Sequence, residues 1–294
     1  MESDDYFLRG VNRVLTESSR LVSSSKHLND VRLREWVAMI ALRKNGSDFP
    51  APAELVELKR ILGDLRDEEH VEQLFVRERR VNPALDCWLS ERYMSPRMSL
   101  EEFSAFPPKS LGGIFYRQMA GRFQVGSDIA PKYWDAPRSH HEFYRRREGQ
   151  CHDLEHILLG ASVDGLGELV PAWFRLTNVP RFIRSAELLS ELLTYKILAS
   201  LRYTVRTMIH YPHAWPYCVD AIQRGMAAGQ ISDALFMKKL EPVLGLPLGE
   251  ARTALGLRSI VDRDTSAASA YWEGGAELPP ALDVAAPIHA MGCT

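Results

Sequence analysis

The sequence predicts an all-α protein built as a single bundle-like domain of many helices with a flexible C-terminal tail. Apolar residues recur at the three- and four-residue spacing of a helix along much of the chain, and no convincing run of alternating residues indicates a β-strand. Proline and glycine separate these periodic segments. With 294 residues, 46% of them hydrophobic, the chain is long enough to bury a substantial core.

The segments before residue 101 are predicted to form an N-terminal helical part, residues 1–100. Two apolar stripes at helical spacing are Leu33, Trp36, Val37 and Ile40, and Leu55, Leu58, Leu62 and Leu65. The first helix is expected to end at Asn45-Gly46 and the second to begin at Pro52. Residues 67–80 carry both signs of charge, which is typical of a solvated helix face, and a further helix is predicted over residues 84–93.

Residues 101–260 are predicted to form a helical core continuous with that N-terminal part. Ser110 is the expected cap of a helix over residues 111–123. Further helices are predicted at 139–159, 187–209, 219–229, 235–240 and 248–255, the last followed by Gly256 as its C-cap.

After Ile260 the composition shifts towards alanine, glycine and proline, which predicts a flexible tail over residues 261–294. Tyr271 and Trp272 are the residues that could dock this tail.

Composition excludes several classes of protein. A formal net charge of −2 offers no basic field for nucleic acid. Four scattered cysteines form no C-x-x-C pair, so neither a disulfide framework nor a thiolate zinc site is expected, and a reducing, cytoplasmic compartment is predicted. The acidic start does not resemble a secretory signal. The most apolar long stretch, residues 188–209, contains four charged residues and is not expected to span a membrane.

The chemistry of the chain is concentrated in His152, Asp153, His156 and Glu168. Two histidines four positions apart lie one turn apart on the same helix face and can hold one metal ion. The two carboxylates offer oxygen ligands or a general base. On an unbroken helix Glu168 would lie about 18 Å along the axis from His156 and about 120° around it. Metal binding therefore requires a turn, which the glycines between residues 160 and 167 permit.

Two imidazoles with one or two carboxylates suit zinc, iron(II) or manganese, and magnesium is a weaker fit. A single histidine on a helix is usually structural, so the pattern of all four residues carries the metal hypothesis. One interpretation is a hydrolase similar to the H-E-x-x-H zincins, with Asp153 in place of the basic glutamate. Aspartate is shorter by about 1.5 Å, and a helical chain lacks the edge strand that binds peptides. The other interpretation, a metal site in a helical bundle that acts on a small or lipid-like substrate, is favoured.

The stretch from His152 to Gly160, together with Leu166-Gly167-Glu168, resembles the hallmark of the coenzyme Q biosynthesis protein 4 family, which is H-D-x-x-H followed by eleven residues and a glutamate. Two flanking blocks are also similar to that family. They are the segment 107–116, with its two prolines, glycines and aromatic pair, and the segments 225–229 and 246–256. The resemblance covers about residues 105–257.

The resemblance implies a helical fold, a metal held by His152, Asp153, His156 and Glu168, and an apolar groove for a polyprenyl tail. It implies a role in ubiquinone biosynthesis, in oxidative removal of the carboxyl group at ring carbon 1 of a prenylated precursor. It also implies peripheral association with the inner face of a membrane. Expected partners are the prenylated precursor or a similar lipid, other ubiquinone biosynthetic enzymes and a second copy of the chain. The alternatives are a non-catalytic lipid-binding scaffold, or a paralogue acting on another prenylated or aromatic acid.

Asp153 and Glu155 are the candidate catalytic residues. Glu155 departs from the family pattern and lies within about 60° of the ligand stripe, so a fifth ligand, a proton shuttle and a surface residue all stay open. The run Arg145, Arg146 and Arg147 either attracts an anionic substrate or headgroup, or forms a solvated face.

Overall fold

The computed structural model describes residues 23, 25–45, 51–120 and 135–282, and these residues form an all-α fold. They contain no β-strand, which confirms the predicted fold class. The α-helices are α1 (Val31–Leu42), α2 (Ala51–Asp64), α3 (Glu68–Val81), α4 (Pro83–Glu91), α5 (Leu100–Ser104), α6 (Leu111–Ala120), α7 (His140–Leu158), α8 (Leu169–Asn178), α9 (Ala186–His210), α10 (Trp215–Ile231), α11 (Leu248–Ala254) and α12 (Ser266–Trp272). Short 3-10 helices lie at His27–Asn29, Val179–Arg181, Pro212–Ala214, Leu235–Met237 and Glu241–Val243.

Short polar side chains set where these helices begin. Asp30 accepts hydrogen bonds from the first backbone amides of α1, and Ser139 accepts one from the amide of Glu142 in α7. Ser110, the predicted cap of α6, accepts a hydrogen bond from the amide of Gly113 at 3.2 Å. Gly256 follows α11 with a positive φ of 71°, as expected of the residue after a helix end.

Two predicted boundaries differ from the structure. The segment 235–240 forms only the 3-10 turn Leu235–Met237, because the chain becomes extended at Lys238 and a segment this short has little propensity to nucleate an α-helix. Helix α10 begins at Trp215, earlier than the predicted residue 219, because Pro216 occupies a first-turn position where its missing amide costs nothing. The predictions for Gly46 and residues 121–123 fall outside the described residues.

The 25-residue helix α9 is the central element of the fold and packs against α1, α2, α3, α8 and α10. Its neighbours contribute three groups of buried apolar residues. One group lies between α1 and α2 and is covered by Tyr195 and Leu198 of α9. A second joins α3 and α4 to the first turns of α7 and α9, and the third and largest joins α5 to α8 with α10 to α12. The described residues before position 101 thus share their cores with later helices.

Two glycines allow α8 and α10 to pack at unusually close range. A Cβ atom on Gly225 would lie 2.5 Å from the carbonyl oxygen of Val170, and one on Gly229 would lie 2.5 Å from the carbonyl oxygen of Phe174. Only glycine fits at these positions without moving one backbone away from the other. This contact fixes the position of α8, whose first residue follows Glu168.

The tail expected from residue 261 is ordered in its first part, which corrects the predicted boundary. Residues 266–272 form α12, and Trp272 is fully buried against Tyr203 with a ring separation of 4.9 Å. The Asn45 amide donates a hydrogen bond to the Trp272 carbonyl at 2.7 Å. Three alanines in this segment favour a helix, and burial of the large tryptophan ring docks that helix on the core. Residues 283–294 of the predicted tail lie outside the described residues.

Among the described residues, no helix is both long enough and apolar enough to cross a lipid bilayer.

We expect Trp272→Ala to lower the free energy of unfolding by about 3–5 kcal/mol, because it removes a large, fully buried ring from the core. Leu278→Ala is the matched control in the same segment, since Leu278 is 59% exposed, and should change stability by less than about 0.5 kcal/mol. Chemical denaturation of the three proteins measures both effects. Equal stabilities for Trp272→Ala and the unmodified chain would show that α12 is not part of the folded core.

Candidate metal centre

A reversal of the chain between α7 and α8 brings Glu168 back to the two histidines, as the motif requires. Helix α7 ends at Leu158, Gly160 adopts a positive φ of 70°, and Glu168 immediately precedes α8. A Cβ atom on Gly160 would lie 2.6 Å from the carbonyl oxygen of Val261, so the turn also needs glycine for space. The helix-turn-helix geometry predicted from the sequence is confirmed.

Arginine side chains from the C-terminal half of the protein hold the end of α7. Arg252 donates to the carbonyl oxygens of Leu158 at 2.9 Å and Ile157 at 3.0 Å, and Arg224 donates to that of Gly160 at 3.0 Å. The last carbonyl groups of a helix lack their usual intrahelical partners, and cations are favoured at a helix C-terminus. The chain downstream of the motif thereby fixes where the reversal begins.

The reversal also depends on Asp164. Its carboxylate accepts from the amide of Gly167 at 2.8 Å and from the hydroxyls of Thr265 at 2.8 Å and Ser269 at 2.5 Å. The turn is therefore tied to α12, so the segment after residue 260 supports the site from outside.

His152, His156 and Glu168 form one cluster in which each residue offers a ligand atom within 4.8 Å of the others. The Nε2 atom of His152 lies 3.2 Å from one Glu168 oxygen, and Nε2 of His156 lies 3.4 Å from the other. His156 is fully buried, whereas the side chains of His152 and Glu168 are 36% and 37% exposed. The cluster is thus anchored in the core and open on one side.

The surroundings of His156 suit a metal ligand. Its Nδ1 lies 2.9 Å from the carbonyl oxygen of Ser162, and because a carbonyl only accepts, Nδ1 carries the proton of the neutral ring. The other nitrogen, Nε2, then presents a lone pair. This atom is buried, and apart from the Glu168 oxygen 3.4 Å away it has no hydrogen-bond partner among the described residues. In the neutral ring this nitrogen faces a carboxylate with no proton between them, and a divalent metal ion would satisfy both atoms.

The charges of the cluster stabilise each other in the absence of a metal. Burial lowers the pKa of His156, but the Glu168 carboxylate and its hydrogen bond outweigh burial, so the pKa lies above the ordinary value of 6.5. Burial likewise raises the pKa of Glu168, and the charges of His152 and His156 outweigh it and hold that pKa well below 4.5. Protons therefore occupy the place that a metal would take, and metal binding must release them.

Asp153, expected as a fourth ligand and as a catalytic residue, lies outside the cluster of three. A helix turns by about 100° per residue, so position 153 lies about 60° around the axis from His156 and about 100° from His152, at the edge of the ligand face and on the other side of it from Glu155. Its side chain borders a small apolar cavity of about 40 Å³ with Phe103, Phe115 and Leu154. The charge of Asp153 still acts on His156, where it favours the protonated ring.

Glu155 is not a surface residue, which rules out one of its three interpretations. It is 1% exposed, and its carboxylate lies 2.5 Å from the guanidinium of Arg175 in α8. Arg175 also contacts Glu148 at 2.8 Å, and Glu148 contacts Lys196 of α9 at 2.6 Å. Glu155 thus belongs to a buried ionic network that joins α7, α8 and α9.

The sequence spacing that predicts the metal cluster does not predict this network. Arg175 and Lys196 are distant from Glu155 in the chain, and single charged residues on amphipathic helices are usually solvated. The pattern that could have found them is the recurrence of Glu148, Glu155 and Arg175 on helix faces that are otherwise apolar. The role of the Ser162 backbone carbonyl in orienting His156 is also not predicted, because no side-chain pattern marks a backbone acceptor.

Other histidines of the described residues interact with groups outside the cluster. His141 has its Nδ1 3.4 Å from a Glu68 oxygen, and His140 contacts Glu72 of the same helix, α3. His210 interacts with the carbonyl oxygen of Ala41 at 2.8 Å. None of them belongs to the three-residue cluster.

The fold is similar to that of a solved structure, a "putative ubiquinone biosynthesis protein" from Nostoc punctiforme. The two chains are 19% identical, the match covers 76% of this chain and 95% of the other, and the TM-score is 0.52. Likeness at this identity shows a common fold. No family model matches the chain, and no match is found among curated proteins.

The raised pKa of His156 predicts how the stability of the metal-free protein depends on pH. The protonated ring contributes stability that is complete below pH 6.5, the ordinary value, and is lost as the pH rises through the raised pKa. Glu168 stays ionised over this range, because its lowered pKa places its own contribution above pH 4.5. Denaturant unfolding of chelator-treated protein from about pH 6 to about pH 9 measures the loss.

Glu168→Gln is the matched variant for this measurement, because it keeps the shape of the side chain and removes the charge that raises the His156 pKa. The loss of stability with rising pH should be smaller in this variant than in the unmodified chain. An equal loss in both proteins would mean that Glu168 does not act on His156.

Proposed function

We propose that this chain is a metal-dependent protein of ubiquinone biosynthesis that acts on a polyprenylated aromatic acid, by oxidative decarboxylation at ring carbon 1. The observation that carries the proposal is the cluster of His152, His156 and Glu168, in which the buried Nε2 of His156 faces the Glu168 carboxylate. The motif resembles that of the coenzyme Q biosynthesis protein 4 family. The helical fold is similar to a Nostoc protein whose name refers to the same pathway.

His152, His156 and Glu168 would hold the metal, and Asp153 remains a predicted fourth ligand. Two nitrogens and one carboxylate favour zinc, iron or manganese over magnesium. When bound, such an ion would supply Lewis acidity towards a carboxylate or, in the case of iron, a site for oxygen chemistry.

Different residues would orient the metal ligands, face the substrate and hold the helices in place. The Ser162 carbonyl keeps the His156 ring in one tautomer, so that Nε2 is ready to bind without reorganisation. Glu168 and His152 form the exposed side of the cluster, and a substrate carboxylate would approach from there. The ion pairs of Arg175 in α8 with Glu148 and Glu155 in α7 would hold these two helices at a fixed separation.

The proposed reaction replaces the ring carboxyl group by a hydroxyl group. In balanced form, the ring acid, dioxygen, two electrons and two protons give the ring phenol, carbon dioxide and water. The bond between ring carbon 1 and the carboxyl carbon breaks, and a carbon–oxygen bond forms in its place. Dioxygen is the oxidant, and a donor of the reduced-flavin class supplies the two electrons.

A second candidate function, a non-catalytic lipid-binding scaffold, is favoured by one observation. Ile197, Leu201 and Met208 of α9 are 44%, 38% and 49% exposed and lie within about 40° of one another around the helix. An apolar stripe of this kind suits contact with a lipid or with another biosynthetic enzyme. In that case the metal would stabilise the fold only, and a second copy of the chain or a membrane surface would cover the stripe.

The two candidates differ in one assay. Purified protein is given a prenylated 4-hydroxybenzoate, ¹⁸O-labelled dioxygen and a reductant, and the release of carbon dioxide and the label in the new ring hydroxyl are measured. His156→Ala should lower turnover by about 100-fold or more, whereas His213→Ala should leave it unchanged, because His213 is exposed and lies outside the cluster. Full activity of His156→Ala or of metal-free protein would contradict the enzymatic proposal. A folded protein that contains the metal but shows no turnover would favour the non-catalytic lipid-binding scaffold.

A further inference from the structure

A second cavity, of about 300 Å³, lies beside the first half of α7 and is separate from the three-residue cluster. It is bordered by the 3-10 helix His27–Asn29, by the turn between α2 and α3, by α7 and by α9. Arg145, on its α7 wall, precedes His152 by seven residues, or about 10 Å along the helix. The cavity and the cluster therefore lie on the same helix two turns apart.

Two buried imidazoles in the cavity wall lack hydrogen-bond partners. His27 is 8% exposed, and neither of its ring nitrogens has a partner; His141 is 4% exposed, and its Nε2 has none. Buried polar atoms are seldom left unsatisfied, because each one costs part of its hydration free energy. Two such rings in the wall of one cavity indicate that the cavity is built to hold a polar ligand.

The charge of the wall selects an anion. The Arg145 guanidinium makes no ion pair among the described residues and lies 5.9 Å from the centre of the Tyr195 ring. Nε of Arg66 also lacks a hydrogen-bond partner, although another nitrogen of that guanidinium contacts Glu68 at 3.2 Å. Burial first, and then the charges of Arg66 and Arg145, lower the pKa of His141 to about 3. The ring is thus neutral in a positive field.

The acidic side chains of the wall are mostly neutralised. Glu191 pairs with Lys26 at 2.5 Å, and Glu142 accepts from the amide of Arg138 at 2.7 Å and lies 3.5 Å from Arg146. Asp135, which precedes α7 in the chain, is the remaining carboxylate of the wall. Arg145 and Arg66 therefore face the cavity without a full complement of acceptors.

Neutral imidazoles distinguish between possible anions. Each neutral ring offers one N–H donor and one acceptor nitrogen. A carboxylate only accepts, so it would leave the acceptor nitrogens unsatisfied. A hydrogen phosphate carries both O–H donors and oxygen acceptors, and its tetrahedral shape meets donors that approach from several sides.

We propose that this cavity binds a phosphate group, either as free inorganic phosphate or as the head of a phosphate ester, with Arg145, Arg66, His27 and His141 as its partners. The proposal rests on the cavity alone and does not depend on the proposed metal or activity.

Isothermal titration calorimetry of the full chain with inorganic phosphate tests the site. One phosphate should bind per chain, and Arg145→Gln should weaken binding about 10-fold because a charged hydrogen-bond donor is lost. Arg60→Gln is the matched control on α2, since Arg60 is 54% exposed and pairs with Glu57 outside the cavity; its affinity should be unchanged. No saturable binding, or equal affinity in Arg145→Gln, would overturn the proposal.

Two further variants separate weakened phosphate binding from misfolding and from binding at the metal cluster. His27→Phe removes both unsatisfied nitrogens and keeps a buried ring, so the protein should fold at least as well as before and still bind phosphate more weakly. His152→Ala should bind phosphate normally, because the site is not the metal cluster. Loss of phosphate binding in His152→Ala together with normal binding in His27→Phe would place the anion at the cluster and overturn the proposal.

Comparison of the affinities for inorganic phosphate and for n-octyl phosphate shows whether the site takes free phosphate or the head of a phosphate ester. Equal affinities would assign the site to free phosphate. At least about 10-fold tighter binding of the octyl ester, lost again in Arg145→Gln, would assign it to the head of a lipid-like phosphate ester. Tighter binding that persists in Arg145→Gln would reflect the alkyl chain and would speak against the site.

Discussion

The reversal of the chain between α7 and α8 is the constraint on which the candidate metal centre depends. One helix face can present His152 and His156 together, but only a chain that turns back within a few residues can add Glu168. The turn also sets the orientation of the His156 ring. It places the Ser162 carbonyl against Nδ1 of His156, so the same backbone that delivers the carboxylate also fixes the tautomer of the buried ring.

Charged side chains inside the protein maintain this geometry. Glu54 joins α2 to Arg202 and Arg206 of α9 at 2.6 and 2.7 Å, and the network of Glu148, Glu155, Arg175 and Lys196 joins α7, α8 and α9. Buried ion pairs add little net stability, because desolvation opposes their attraction, but loss of one partner leaves a buried charge uncompensated. Such networks therefore define which helix faces can meet. We infer that they hold the helices in the one arrangement that forms the cluster.

The sequence predicts the parts of the molecule that depend on local patterns. Helical periodicity gives the fold class, the long helix α9 and the reversal at Gly160, and the spacing of His152, His156 and Glu168 gives the cluster itself. Residues that meet across the fold are not predicted, because no local pattern links Arg175 to Glu155 or His27 to His141. Trp272 is predicted only in part, since the sequence marks it as a residue that could dock the tail, but the composition around it, rich in alanine, glycine and proline, does not predict an ordered helix. Asp153 shows the converse, because the motif places it next to His152 in the sequence, but it is not part of the cluster of three that the fold assembles.

The candidate metal centre is tested most directly by the metal content of purified protein. The protein is prepared without chelators, and its metal is measured by elemental mass spectrometry. The comparison is between the unmodified chain and the double variant His152→Ala/His156→Ala, with helicity followed by circular dichroism. We expect close to one zinc, iron or manganese ion per unmodified chain and its loss from a double variant that remains helical. Absence of metal from the unmodified chain, or full retention of metal by the folded double variant, would contradict this expectation.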